Sequence, residues 1–216
     1  MTIELFIADD HGVVRDGLCS LLESESDFNV VGSAENGRQA VKQVLKLSPD
    51  VVIMDIAMPI LNGILATEKI MKASPDTRVI ILSMHDSKEY IASSLKVGAL
   101  GYLLKESAGK EVVQAVRSVY SGNRYLSERI SDTIFNHYVA QQTVAIQNPV
   151  DQLSSREKEI LQMVVEGKSS AQIGIILNLS SKTIDTYRSR LMAKLFINDI
   201  PSLVKFAIRH GVTTTE

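Results

Sequence analysis

The sequence predicts an α/β protein: a five-stranded, doubly wound parallel sheet over residues 1–126, followed by a small all-α domain over residues 153–216. Three observations lead there. In the first 126 residues five short runs rich in Val, Ile or Leu alternate with five helical patterns, the order that builds βαβ units. The runs are nearly continuous in apolar residues, as strands covered on both faces of a parallel sheet must be. Beyond Gly122 the strand signal stops, and from Leu153 only helical periodicity remains.

Strands are predicted at 3–8, 28–33, 50–54, 78–83 and 100–103, with helices near 12–24, 36–47, 63–73, 86–97 and 109–121. Gly37, Gly63 and Gly98 punctuate the connections, with Ser48-Pro49 and Ser74-Pro75. Residues 127–152 join the two domains. In them, 127–140 carries Ile130, Ile134, Phe135 and Tyr138 on one helical face, and Gln141–Gln152, with Asn148-Pro149, lacks periodicity and reads as a linker. Helices follow at about 155–166, 170–177, 181–195 and 200–210. Ser154 with Glu157 fits a capping box, and Asn178 stands where a left-handed residue ends a helix.

Composition narrows the class. Of 216 residues, 45% are hydrophobic and 22% charged, ordinary values for a soluble globular protein. No apolar run approaches the ~20 residues of a membrane span, and the N-terminus runs straight into a strand, so a cytoplasmic protein is expected. Cys19 is the single cysteine, which excludes a disulfide within one chain; set among Leu18, Leu21 and Leu22, it reads as a structural thiol. Residues 1–126 hold 13 Lys+Arg against 16 Asp+Glu, and residues 151–216 hold 9 against 7. That mild asymmetry is weak evidence for nucleic acid by itself.

The chemistry is concentrated at the strand ends. Asp9 and Asp10 follow the first strand, Asp55 the third and Lys105 the fifth. Open parallel sheets bind ligands at the carboxyl ends of their strands, so these residues would share one crevice. Capping of the first helix would explain one aspartate, but not Asp55 and Lys105 at equivalent ends. Three gathered carboxylates repel one another unless a hard cation such as Mg²⁺ compensates, and a lysine beside them suits an anion that arrives later. The pattern points to a site that holds Mg²⁺ and accepts a phosphoryl group. His11 and His85 flank it and need no catalytic role.

The segments Ala8-Asp9-Asp10, Met54-Asp55-Ile56-Ala57-Met58-Pro59, Leu82-Ser83 and Leu103-Leu104-Lys105 resemble the flavodoxin-like receiver domain of bacterial response regulators. The resemblance implies that Asp55 takes a phosphoryl group from a sensor histidine kinase. It further implies that Asp10, Asp55 and the backbone carbonyl of Ala57 ligate Mg²⁺, with Asp9 acting through water. Lys105 would pair with the phosphate. Ser83 and Tyr102 would be a switch pair, Ser83 drawn inward by the new charge and space opened for Tyr102. Glu106 departs from the pattern, since proline often follows the lysine. A cis bond without proline costs about 2.5–4 kcal/mol, which leaves the conformation at Lys105-Glu106 open.

The C-terminal segments Leu153–Leu161, Gly167-Lys168-Ser169 and Ser180–Leu195 resemble the LuxR-type helix-turn-helix. Together the two halves resemble the NarL/FixJ response regulators, phosphorylation-activated regulators that bind double-stranded DNA as homodimers. In the helix from 181, Ile184, Leu191 and Leu195 face a core, with Tyr187 near its edge. By resemblance Asp185, Thr186 and Ser189 take base-reading positions, while Lys182, Thr183, Arg188, Arg190 and Lys194 are phosphate-contact candidates. Asp185 is acidic where a basic residue is common. Gly174, inside the preceding helix, costs ~1 kcal/mol relative to alanine, with close approach of the next helix the expected compensation. Val204 and Ile208, four apart on the final helix, are either core or dimer seam. Two other classes fit less well. An aspartate-nucleophile phosphatase or phosphotransferase typically wants a second aspartate two residues after the nucleophile, where Ala57 stands. A pure protein-binding receiver would leave the C-terminal helices without a use. No metabolic enzyme activity is expected.

Overall fold

The computed structural model describes residues 2–131 and 149–213. The chain divides into two compact units, the first built on a sheet and the second on helices.

In the first unit the elements alternate strictly: β1 (Ile3–Ala8), α1 (Gly12–Glu23), β2 (Phe28–Ala34), α2 (Gly37–Leu47), β3 (Val51–Asp55), α3 (Gly63–Ala73), β4 (Arg78–Ser83), α4 (Lys88–Lys96), β5 (Gly101–Leu104) and α5 (Ala108–Tyr120). Every predicted strand and helix is present, with ends within two residues. The sheet has six strands and not five, in the order β2-β1-β3-β4-β5-β6, all parallel. The extra strand, β6 (Tyr125–Leu126), is a two-residue edge addition paired with Gly101 and Tyr102. Two residues are too few to make a periodic signal, so the sequence does not reveal it.

The strands carry side chains to both faces. Val51 and Ile53 join Leu5, Ile7, Leu18, Leu22, Val112 and Val116 in one core cluster, while the intervening Val52 and Met54 are equally buried on the other side. This two-sided burial is why β3 shows no polar alternation. Asn36 and Asn62 cap α2 and α3, accepting from the amides of Gln39 and Leu65.

Residues 128–131 are helical, as predicted for the start of 127–140; the rest of that segment and most of the predicted linker lie outside the described residues. A 3-10 turn (Pro149–Gln152) leads into α6 (Ser155–Val165), α7 (Ser170–Leu177), α8 (Ser181–Leu195) and α9 (Ile200–Arg209). The Ser154–Glu157 capping box is formed in full, and Ser169 with Gln172 makes a second at α7. Asn178 ends α7 at φ 55°, the expected left-handed residue. A Cβ on Gly174 would stand 2.6 Å from the Leu179 carbonyl, so the glycine admits the α7–α8 turn itself, just ahead of the next helix. Ile160, Leu161, Met163, Ile173, Leu177, Ile184, Leu191, Leu195, Leu203 and Ala207 close a separate core. On α9 the core residues are therefore Leu203 and Ala207; Val204 and Ile208 are only half-buried.

Candidate functional site

The strand order reverses between β1 and β3, which leaves a crevice at their carboxyl ends. Register then levels the acidic residues. Ala8 pairs with Met54, so Asp9 and Asp55 occupy the next rung. Across the sheet Ser83 pairs with Leu104, and the Lys105 amide donates to the Ser83 carbonyl at 2.8 Å.

Lys105 Nζ stands 2.8 Å from Asp9 Oδ2 and 2.9 Å from Asp55 Oδ2, bridging two carboxylates that are each 1% exposed. Asp10 is turned further outward, with Oδ1 2.8 Å from His11 Nδ1. Ligand atoms of Asp9, Asp10, His11 and Asp55 all lie within 4.8 Å of one another. One lysine does not balance three carboxylates. Burial pushes the Asp55 carboxyl up to about 6; Lys105 pulls against that shift, Asp9 adds to it, and a hydrogen bond from the Ala57 backbone opposes it. For Lys105 burial disfavours the charge, yet Asp55 and Asp9 outweigh it and hold its pKa above the ordinary lysine value. Such a carboxylate set, acidic, oxygen-rich and short of positive charge, has the donor chemistry that a hard divalent cation takes.

Two residues hold this pocket in place without having been singled out by the sequence for that role. Arg15 donates from Nη1 to the Asp9 carbonyl at 2.7 Å. Gly63 lies so close behind Asp55 that a Cβ there would be 1.9 Å from the Asp55 carbonyl oxygen. Its sequence signal, a glycine between strand and helix, marks a turn but not the backbone contact.

Ser83 and Tyr102 are both brought to the site, and both grip His85. The His85 amide donates to Ser83 Oγ at 3.0 Å, and the Tyr102 hydroxyl donates to the His85 carbonyl at 2.7 Å. Tyr102 is fully buried, and burial holds its hydroxyl pKa above the ordinary range. The ring therefore lies inside with its hydroxyl satisfied. The physical reason is the His85 carbonyl, which satisfies the phenol inside the sheet edge. Glu106 also has a use: Arg129 reaches Glu106 Oε1 at 2.6 Å and Asp86 Oδ2 at 2.7 Å. Every peptide bond among the described residues is trans, Lys105-Glu106 included.

In the helical unit, α8 buries Ile184, Leu191 and Leu195 and presents Lys182, Thr186 and Ser189 on the opposite side, with Asp185, Arg190 and Lys194 also exposed. Thr183 is half-buried and engaged with the Ser180 cap through both its amide and its hydroxyl. Lys194 Nζ is 2.7 Å from the buried carboxylate of Glu157. Thr186 commits its hydroxyl proton to the Lys182 carbonyl at 3.0 Å. Asp185 and Arg188 both bond the hydroxyl of Ser170. The eight predicted residues therefore share one helix but not one face or one degree of freedom.

A sheet with this acidic pocket, followed by two helices joined by a tight turn, defines a phosphoacceptor module with a helix-turn-helix output. Residues 5–117 match the family model of the response regulator receiver domain, and residues 151–207 match that of the bacterial regulatory proteins of the luxR family. The chain is 36% identical over 211 residues to the oxygen regulatory protein NreC of Staphylococcus aureus (strain bovine RF122 / ET3-1), covering 96% of this chain and 97% of that protein. Among solved structures, a LuxR-family two-component response regulator from Aurantimonas sp. SI85-9A1 shares 32% identity at a TM-score of 0.62, covering 64% of this chain and 99% of that one. The response regulator RcsB of Salmonella typhimurium shares 27% at a TM-score of 0.60, covering 95% and 97%. RcsB is also known in complex with DNA, a structure with the same identity and TM-score. This chain belongs to the NarL/FixJ-type two-component response regulators. It is a phosphorylation-activated transcriptional regulator.

Proposed function

We propose that Asp55 is the phosphoacceptor, loaded by a sensor histidine kinase, and that the chain works as a cytoplasmic regulator rather than a metabolic enzyme. The observation that carries this reading is the Asp9–Lys105–Asp55 bridge at 2.8 and 2.9 Å in a buried crevice. Asp9, Asp10, Asp55 and the Ala57 backbone would hold Mg²⁺. When bound, it supplies charge neutralisation for phosphoryl transfer, which needs positioning more than covalent chemistry. Lys105 orients the incoming oxygens and stabilises the charge they bring. Ser83 would donate its hydroxyl proton to one of those oxygens while its lone pair still accepts from the His85 amide. Ser83 and Tyr102 would be the switch pair, and because both bond the His85 backbone, a shift of either would be passed to the β4–α4 connection.

We further propose three segments: a receiver over 1–126, a helix and linker over 127–152, and the DNA-binding domain over 153–216. Within the last, α8 enters the major groove, where Thr186 and Ser189 reach base edges and Lys182, Arg188 and Arg190 contact phosphates, with Thr183 and Lys194 in supporting contacts. Phosphorylation favours a homodimer, for which half-buried Val204 and Ile208 are the seam. The site assignment is tested by incubating the protein with acetyl phosphate and Mg²⁺. One phosphoryl group per chain is expected, and none on Asp55→Asn. A full equivalent on that variant would overturn the assignment of the acceptor.

A further inference from the structure

Asp185 is an acidic residue on a helix that reads an acidic polymer, and its carboxylate is already engaged. Ser170, the first residue of α7, stands across from it, and the Ser170 hydroxyl lies 2.5 Å from Asp185 Oδ1. The same hydroxyl oxygen lies 2.9 Å from Arg188 Nη1. A serine hydroxyl has one proton to give and lone pairs to accept with. The carboxylate can only accept and the guanidinium can only donate, so the hydroxyl proton points to Asp185 and its lone pair to Arg188. The neighbouring Ser169 is spent on the cap of α7, accepting from the Gln172 amide. Ser170 is thus free to serve the link between the two helices. Arg188 is half-buried there, with its remaining N–H groups uncommitted to Ser170.

We propose that Asp185 is a positioning residue: through the Ser170 hydroxyl it fixes the Arg188 guanidinium for a DNA phosphate, and it reads no base itself. The inference rests on the reading that α8 docks in the groove. A long arginine side chain loses rotamer freedom when it binds, and one held in place beforehand loses less. The acidic residue then has a role at an anionic surface that does not require it to touch that surface. Sequence readout falls to the stripe opposite the core, Thr186 and Ser189.

The test uses the full-length chain and a duplex enriched by it from a random-sequence library, beside a scrambled duplex of equal length. Ser170→Ala is expected to weaken binding to both duplexes by the same factor, roughly two- to tenfold, the ordering cost of one long side chain. Ser170→Thr, which keeps the hydroxyl, should restore it. In an Arg188→Ala background, Ser170→Ala should add nothing. Repeating the selection with Asp185→Ala should enrich the same sequence. The proposal is overturned if Ser170→Ala binds like wild type, if its loss persists in full without Arg188, or if Asp185→Ala changes the preferred base at any position. A binding loss that tracks a lowered melting temperature and is not reversed by Ser170→Thr overturns it as well, since that is the signature of a merely structural contact. If the wild-type chain enriches no sequence at all, the DNA-binding reading falls first and this inference with it.

Discussion

Asp55 carries an electrostatic penalty in the folded state. Its carboxyl is raised from 3.8 to about 6, so the folded state holds a proton that the unfolded chain has already lost. The sign follows: no penalty exists below the unfolded value, it grows between about pH 4 and 6, and it is complete at neutral pH. In metal-free buffer, Asp55→Asn is therefore expected to stabilise the protein at pH 7 by roughly 1–3 kcal/mol, and to do nothing for it near pH 3.5. Urea unfolding at the two pH values measures this; equal stability of both proteins at pH 7 would remove the charge-deficit account. Gly63 poses a steric question at the same place. With a Cβ only 1.9 Å from the Asp55 carbonyl oxygen, Gly63→Ala must move backbone, and a loss of about 1–3 kcal/mol or more is expected. Slower labelling by acetyl phosphate should accompany it. Wild-type stability together with wild-type labelling would show that the turn relaxes without disturbing the acceptor.

At the scale of the element, the proposed docking of α8 would separate two kinds of contact. Lys182 and Thr186 are adjacent on the face opposite Ile184, Leu191 and Leu195. A phosphate contact raises affinity for every sequence alike, so Lys182→Ala should weaken cognate and random duplexes equally and reduce the salt slope by about one unit. Thr186 has its hydroxyl proton tied to the Lys182 carbonyl, which leaves its methyl and lone pairs for a base edge. Thr186→Ala should then cost roughly 1–3 kcal/mol on the cognate duplex and little on random DNA. Titrations at several salt concentrations give both quantities, and an equal loss on both duplexes for Thr186→Ala would mean α8 is docked otherwise. Lys194 has a partner within its own domain that charge pattern alone does not reveal. Its partner Glu157 is buried, and although burial opposes it, Lys194 and Ser154 hold that carboxyl below its ordinary value. A buried carboxylate depends on its cation, so Lys194 also supports the fold of its own domain.

At the scale of the whole molecule, the proposed pairing of two chains has an electrostatic rationale. One helical domain with nine basic and seven acidic residues over 151–216 has little net charge with which to hold DNA. Two recognition helices on a twofold pair reading half-sites about one turn apart gain affinity that one lacks. Beryllofluoride-treated protein is expected to run as a dimer in light scattering, and untreated protein as a monomer. Val204→Asp with Ile208→Asp should keep the treated form monomeric without unfolding the domain, because the α9 core is made by Leu203 and Ala207. A treated double variant that still dimerises would place the seam elsewhere.

The order of strands and helices, both caps at Ser154 and Asn178, and the gathering of Asp9, Asp10, Asp55 and Lys105 were all legible in the sequence. Each is either a local preference or a consequence of where a parallel sheet ends its strands. The short β6, the grip of Ser83 and Tyr102 on His85, the contact of Gly63 with Asp55 and the sharing of Ser170 by Asp185 and Arg188 were not. These depend on which atoms meet across 15 residues or more, or across a turn, and no periodicity records such a meeting. The same holds for α9, where Val204 and Leu203 are equally apolar letters. Only the packing of α9 against α6 decides that Leu203 is core and Val204 is left at the surface.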